Sequence, residues 1–411
     1  MFEPAHLTGN TPIMEDWKSP LGLVATPPFG KDSLMITRNK NEENMMDETI
    51  NLAPSSPVSS YNEWDPLEEV ILGTPLGSHF AAWRGINDYT VPYGEWVIAE
   101  AKVGGGGMPY PVEMVDAACK AVYELERILI NEGVRVRHVE KMDYSKAFHT
   151  PAWGVTSGFG SANPRDPFLV IGTEIIETPM ADRSRYFEAW AYRQLFKEYF
   201  RAGAKWTAAP KPMLTDELFK TVEEMIVDGQ QTGFVLTEFE PVFDAADFVR
   251  CGRDIFGQLS NATNRFGVEW LQRHIGDGYR IHLVKNNSPE AIHIDTTFMP
   301  IAEGKIIYNP EWINPNELPA ILKSWDVIPA PQPIPNTDPL KLVSEWISIN
   351  FLSLDGERII VAKDQTNLIA LLKDHGMKPI PIDFDAYYPF LGAIHCATLD
   401  IRRRGELKSY F

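Results

Sequence analysis

The chain has 411 residues, 44% of them hydrophobic and 23% charged, with a formal net charge of −18. These are ordinary globular values, with room for two or three domains or one large closed architecture. The acidic balance argues against a nucleic-acid partner, whose phosphates demand a basic face, and suits either a cationic small substrate or plain solubility. Three cysteines, Cys119, Cys251 and Cys396, form no CxxC pair. They support neither a disulfide framework nor a zinc site and point to a reducing, cytoplasmic compartment. There is no apolar run of about 18 residues, so no membrane-spanning helix is expected. The first residues read as neither a secretory nor a transit peptide.

Residues 1–58 are rich in Pro, Ser, Asn, Lys and Glu and lack apolar periodicity. They read as an extended or flexible arm ahead of a single folded domain over 59–411. From there a unit recurs in which an amphipathic helix ends, often at a glycine, and a short strand follows. The helix ends fall at Gly133, Gly203, Asp277-Gly278, Ser324-Trp325 and Gly376, and the strands after them begin at Val134, Ala204, Tyr279, Asp326 and Met377. Glycine there supplies the left-handed cap that other residues resist. In the first helix Val115, Ala118, Val122, Leu125 and Leu129 share one face. Apolar strands are predicted ahead of the helices over 69–73, 168–172, 237–243, 292–298 with 306–308, and 349–354 with 358–361. About five such units fit a ring of repeats around a central site, and also an ordinary α/β sheet with similar helix ends. The last segment, 393–404, has no helix after it and is free to return and complete the first unit.

Three segments carry candidate chemistry. Asp244 and Asp247 lie three apart between apolar runs, where they can orient an imidazole or merely cap a turn. In Ala291–Phe298, period two puts His293 and Asp295 on one face, suited to acid/base work and cation binding or to a plain surface strand. Cys396, between His395 and Ala397, can act as a nucleophile if nearby positive charge lowers its pKa, and a guanidinium substrate would bring that charge itself. Cys119 and Cys251 read as inert core residues. Arg402, Arg403 and Arg404 are too few for a nucleic-acid site and fit a solvated face or internal ion pairs. No P-loop or dinucleotide fingerprint is present.

From Pro57-Val-Ser-Ser-Tyr-Asn-Glu-Trp-Asp65 to Arg402-Arg-Arg-Gly405 the chain resembles the glycine amidinotransferase family of arginine-dependent amidinotransferases. The matches include Pro164-Arg-Asp166, Glu174-Ile-Ile-Glu177, Ala209-Pro-Lys-Pro212, Phe243-Asp-Ala-Ala-Asp-Phe248, Gly252-Arg-Asp-Ile-Phe256, His293-Ile-Asp295 and His395-Cys396. The resemblance implies the five-bladed α/β propeller of guanidine-modifying enzymes. It implies Cys396 as nucleophile, His293 as general acid/base and Asp244 as its carboxylate partner. Asp166 and Asp295 are implied as guanidinium clamps, with Asp247, Ser344 and Trp312 completing the expected substrate-binding set. The implied reaction is ping-pong transfer of an amidino group from L-arginine to an amine, by a homodimer, without metal or cofactor. Two departures stand out. Trp312 occupies the place of the family's carboxylate-gripping arginine, and Val343-Ser344 replaces a pair of serines, so the acceptor is expected to differ from glycine. The region from Gly73 to Gly107 also departs from the animal enzymes and is expected to cover the pocket mouth. The alternative is a guanidine hydrolase of the same fold, in which water attacks the adduct. A non-catalytic binding protein is disfavoured by the intact set Cys396, His293, Asp244, Asp166 and Asp295.

Overall fold

The computed structural model describes residues 56–411 apart from 84, 92, 228 and 229. Nearly all of the arm expected over 1–58 lies outside the described residues. Val58 is already fully buried, in one cluster with Ile71, Phe168 and Leu399. The described residues fall within one compact unit, Leu52–Phe411.

Among them, five three-stranded sheets repeat one plan. A leading strand pairs antiparallel with a central strand, and the central strand pairs parallel with a third. Phe168–Ile171, Glu174–Glu177 and Lys205–Ala208 make one such sheet. Phe248–Cys251, Asp254–Gly257 and Arg280–Leu283 make the next. Phe298–Ala302, Lys305–Tyr308 and Asp326–Pro329 follow, then Leu352–Ser353, Arg358–Ala362 and Lys378–Ile382. The remaining sheet takes its leading strand, Thr398–Arg403, from far along the chain and sets it against Leu67–Leu72, which pairs with Arg135–His138. The last segment does return to complete the first unit.

The plan follows from local chemistry. Two-residue turns such as Gly172-Thr173 and Gly252-Arg253 join antiparallel neighbours, with glycine at φ +58° and +70°. A Cβ on Gly252 would stand 2.2 Å from the Lys408 carbonyl oxygen. Parallel neighbours cannot be joined so tightly and need a helical crossover. Val112–Asn131, Arg193–Arg201, Arg265–Ile275 and Thr366–Asp374 supply four of the five. Val112–Asn131 buries Ala118, Ala121, Leu125 and Leu129, with Val115 and Val122 packed alongside. Each leucine there contributes about 1.5–3 kcal/mol. The helix stops at Gly133, whose φ of +84° lets Val134 N–H return to the Leu129 carbonyl.

Four expectations are corrected. The fourth crossover is not an α-helix. Pro315 and Pro319 restrict it to 3-10 turns, Pro315–Glu317 and Ala320–Ser324. The third helix is capped by Gly276 at φ +69°, not by Gly278. Residues 237–243 form no strand. Glu238 accepts from the Arg265 and Phe266 amides at the helix start, and Glu240 accepts from the Met213 and Leu214 amides. Pro241 has no amide hydrogen to offer a ladder. Finally, 292–298 is not a continuous strand. His293 turns to φ +57°, Ile294–Thr296 forms a 3-10 turn, and the strand begins only at Phe298.

A polar side chain stands two to four residues ahead of every leading strand: Asp166, Asp244, Asp295, Asn350 and Cys396. All five are almost fully buried.

Candidate active site

Cys396 lies on the turn before Thr398–Arg403, held by the Ala397 N–H to Ala393 carbonyl bond. Glycine is required just upstream. A Cβ on Gly392 would stand 2.3 Å from Asn163 Oδ1 and 2.8 Å from Cys396 Cβ. The sulfur receives Asn350 Nδ2–H at 3.1 Å and donates to Asp295 Oδ2 at 3.5 Å. Burial pushes the thiol up to about 12, Asp295 adds to the rise, and His293 opposes it. At neutral pH the free protein therefore holds a neutral thiol.

His293 lies between two carboxylates. Its Nε2 is 3.0 Å from Asp244 Oδ2 and its Nδ1 is 3.7 Å from Asp166 Oδ1. Burial alone would depress its pKa, but Asp166, the Asp244 hydrogen bond and the contact with Cys396 raise it well above the ordinary value. The two carboxylates favour the charged ring, which then has a proton to donate in place. Cys396 Sγ, a ring nitrogen of His293 and a carboxylate oxygen of Asp166 all lie within 4.8 Å of one another. Asp244 sits at the N-cap of the turn Ala245–Asp247, yet its side chain does not cap that turn.

Asp295 and Asp166 are braced from behind. Asp295 Oδ2 accepts from His395 Nδ1 at 2.8 Å, which fixes the tautomer. Burial opposes its charge, but the His395 bond and the nearby cations hold its carboxyl below the usual range. Asp166 Oδ2 accepts from Arg185 at 2.9 Å, and Arg185 is forked onto Glu188 at 2.6 and 2.8 Å. Burial outweighs Arg185 and His293 and leaves the Asp166 carboxyl above its ordinary value. Each of three buried carboxylates keeps one oxygen without a hydrogen-bond partner among the described residues: Asp166 Oδ1, which lies 3.7 Å from His293 Nδ1, Asp244 Oδ1 and Asp295 Oδ1. Such oxygens are costly to bury and call for a donor-rich cation.

Asp244, His293, Asp295, Trp312, Ser344 and Cys396 line one pocket, with Ile86, Asn87, Thr90 and Val91 also in its wall. The segment from Gly73 to Gly107 thus contributes to the pocket wall. Asp166 stands outside the wall and is 1% exposed. Asp247 is also outside it. Its carboxylate is taken by Gln258, Ser260 and Thr263, and burial raises it to about 6. These bonds tie the Asp244 turn to the segment 258–263. Ser344 Oγ is engaged with the Trp346 amide at 3.2 Å. Cys251 is buried among Trp64, Val249 and Phe256, and Cys119 is partly buried on its helix.

The sequence reading missed Asn350, Arg185 and Asp182. Arg185 and Asp182 line the pocket. Asp182 accepts from the Ser184 amide and from Asn87, and burial raises it to about 6. Asn350 alone had a usable signal, its place ahead of a leading strand like the other four. Arg402 pairs with Glu68, while Arg403 is buried against Asp400, so the triple is a set of internal and surface ion pairs.

No family model matches the chain. It is 46% identical over 359 residues to the L-arginine:L-lysine amidinotransferase of Pseudomonas savastanoi pv. phaseolicola, covering 87% of this chain and 97% of that one. It is 42% identical over 371 residues to the mitochondrial glycine amidinotransferase of Xenopus laevis, covering 87% and 86% of the two. Among solved structures, SxtG, an amidinotransferase from Microseira wollei in the saxitoxin biosynthetic pathway, matches with a TM-score of 0.83 at 58% identity, over 86% of this chain and 100% of that one. Similarity at this level covers 86–87% of the chain in all three comparisons. The chain belongs to the amidinotransferase family.

Proposed function

We propose that the protein moves the amidino group of L-arginine onto an amine other than glycine, through a covalent adduct on Cys396. The observation that carries this reading is the trio of unpartnered carboxylate oxygens on Asp166, Asp244 and Asp295 around a buried thiol and an imidazolium. A guanidinium is planar, cationic and rich in N–H donors, and it suits oxygens of this kind. Its charge also offsets the burial and the Asp295 charge that keep the thiol protonated, so the nucleophile forms only with substrate in place.

As the guanidinium binds, the thiol proton passes to solvent by way of Asp295 Oδ2, which accepts the S–H at 3.5 Å, and the thiolate attacks the guanidinium carbon. His293 gives its proton to the departing nitrogen, the C–N bond breaks, and ornithine leaves an amidino group on sulfur. The acceptor amine enters, His293 takes its proton as nitrogen attacks, and the thiolate is expelled. Asp244 holds the imidazole through both steps.

The far end of the pocket supports a non-glycine acceptor. Trp312, Leu342, Val343 and Ile86 give it an apolar wall. An indole cannot form the forked pair that an arginine makes with a carboxylate. A longer or less polar primary amine of specialised metabolism fits this wall. We place the five sheets as blades of one propeller, because each leading strand is preceded within four residues by a buried polar side chain, Cys396 among them. A homodimer and a cytoplasmic setting belong to the same reading, the latter fitting three free cysteines.

The test is intact-mass analysis under rapid quench. With arginine alone, Cys396 gains one amidino group and ornithine appears; turnover then requires an added amine. Absence of the adduct together with intersecting initial-rate plots would overturn the covalent route. Steady product formation from arginine without any amine would favour the hydrolase instead. The acceptor is read from relative kcat/KM across amines in the native enzyme and in Trp312→Arg. Glycine as the best native acceptor would sink that part.

A further inference from the structure

Asn350 reaches the nucleophile in a way that fixes both ends of its amide. Its Oδ1 accepts from the His395 N–H at 2.9 Å and the Cys396 N–H at 3.2 Å. Exchanging the amide nitrogen and oxygen would aim N–H groups at two backbone N–H groups, so the orientation is set by the neighbours. The nitrogen end must therefore face sulfur, and Nδ2 stands 3.1 Å from Cys396 Sγ. An amide NH2 donates and cannot accept. The thiol proton has to point elsewhere, and Asp295 Oδ2 lies 3.5 Å away to receive it. Asn350 is itself anchored, 1% exposed, with its N–H on the Ile347 carbonyl and its carbonyl receiving the His395 N–H.

We propose that Asn350 is a catalytic residue of the transfer, an oriented N–H donor that stabilises the Cys396 thiolate when it attacks and again when it is expelled. A hydrogen bond to an ionised sulfur is stronger than one to a neutral thiol. Once the amidino group is attached, the sulfur lone pair is drawn into the amidinium and accepts poorly. The bond is regained as the S–C bond breaks in the second half-reaction. Stabilisation that is greater in the charge-bearing states than in the resting thiol or the adduct accelerates both steps. The other titratable groups facing the sulfur are Asp295, His293, Asp166 and Tyr387. The first three surround the substrate end of the thiol, and Tyr387 donates its O–H to the Ala162 carbonyl.

The proposal rests on Cys396 as nucleophile, but its test needs no arginine. Full-length Asn350→Asp keeps an oxygen for both backbone N–H groups and presents a carboxylate oxygen to sulfur in place of the donor. Asn350→Ala removes the donor and adds no charge. Alkylation of Cys396 by iodoacetamide is followed by peptide mass across neutral to alkaline pH. Asn350→Asp is expected to react at least about tenfold more slowly, with its pH profile displaced upward, and Asn350→Ala to slow less. With arginine, kcat falls by about 10- to 100-fold in Asn350→Ala while KM changes little. If the buried carboxylate unfolds Asn350→Asp, Asn350→Ala carries the same comparison. Alkylation profiles that overlay the native one, whatever happens to kcat, would reduce Asn350 to a structural tie and overturn the proposal. Slowed alkylation with no arginine adduct in the native enzyme would instead keep Asn350 and fault the donor.

Discussion

His293 holds φ +57° and ψ +126°, a backbone region nearly reserved for glycine. The strain turns the imidazole between Asp166 and Asp244 and ends the strand expected at 292–298. Two substitutions separate the side chain from the strain. His293→Ala and His293→Gly both lose the proton donor, and adduct formation should slow severely in each. His293→Gly should nonetheless be the more stable of the pair by about 1 kcal/mol, because it relieves the backbone. Chemical denaturation compares them, and equal midpoints would mean that the strain is not stored there. Cys396→Ser should abolish turnover in a folded protein, since a hydroxyl at this site is far less nucleophilic than a thiolate. Cys119→Ser and Cys251→Ser should stay active. Legibility at this scale followed chemical rarity. A thiol beside an imidazole in a cysteine-poor chain stands out, and so does His293-Ile-Asp295. Arg185 and Asn350 belong to common residue types, and their roles come from partners 19 and 46 positions away.

The leading strands explain how such distant residues come together. Each is short and buried, and the polar residue just ahead of it is fixed by the strand's register. Behind the strand that follows Cys396 lies an ion cluster. Arg250 is forked onto Glu63 at 2.7 and 2.8 Å and reaches Asp400 at 2.9 Å, while Arg165 and Arg403 complete Asp400 at 2.7 Å each. Removing one member strands the rest in low dielectric. Arg250→Met should cost about 3–5 kcal/mol, read as a lowered denaturation midpoint. A change below about 1 kcal/mol would show that water reaches the cluster. Helices and their glycine stops were readable from the sequence because period and cap are local signals. The failures at 237–243 and 292–298 arose where side chains bonded to distant backbone or a strained residue broke the period, and neither leaves a trace in apolar alternation.

At the scale of the whole molecule, the shifted groups set how stability depends on pH. Asp182 and Asp247 have folded values near 6 against an ordinary 3.8. Between those limits the folded protein holds protons that the unfolded chain has lost, so stability falls as pH rises. His293, raised well above 6.5, continues the fall in the alkaline direction. Glu63 lies well below its ordinary 4.5, so its contribution is present above that pH and is lost as pH drops further. The melting temperature should therefore peak at about pH 4–5 and decline toward pH 8. Asp247→Asn should flatten the slope between about pH 4 and 6. A native profile that rises steadily toward pH 8 would contradict the burial assigned to these acids.

The pairing of Leu67–Leu72 with Thr398–Arg403 also governs the order of assembly. Four sheets can form from neighbouring stretches of chain, but the one that positions Cys396 waits for a closure spanning most of the sequence. Such a loop closes late because its entropy is lost before its contacts repay it. On refolding from denaturant, helical and strand signals should return first, and amidino-transfer activity should lag behind them. The thiol thus acquires its partners only after the scaffold that restrains it is already in place.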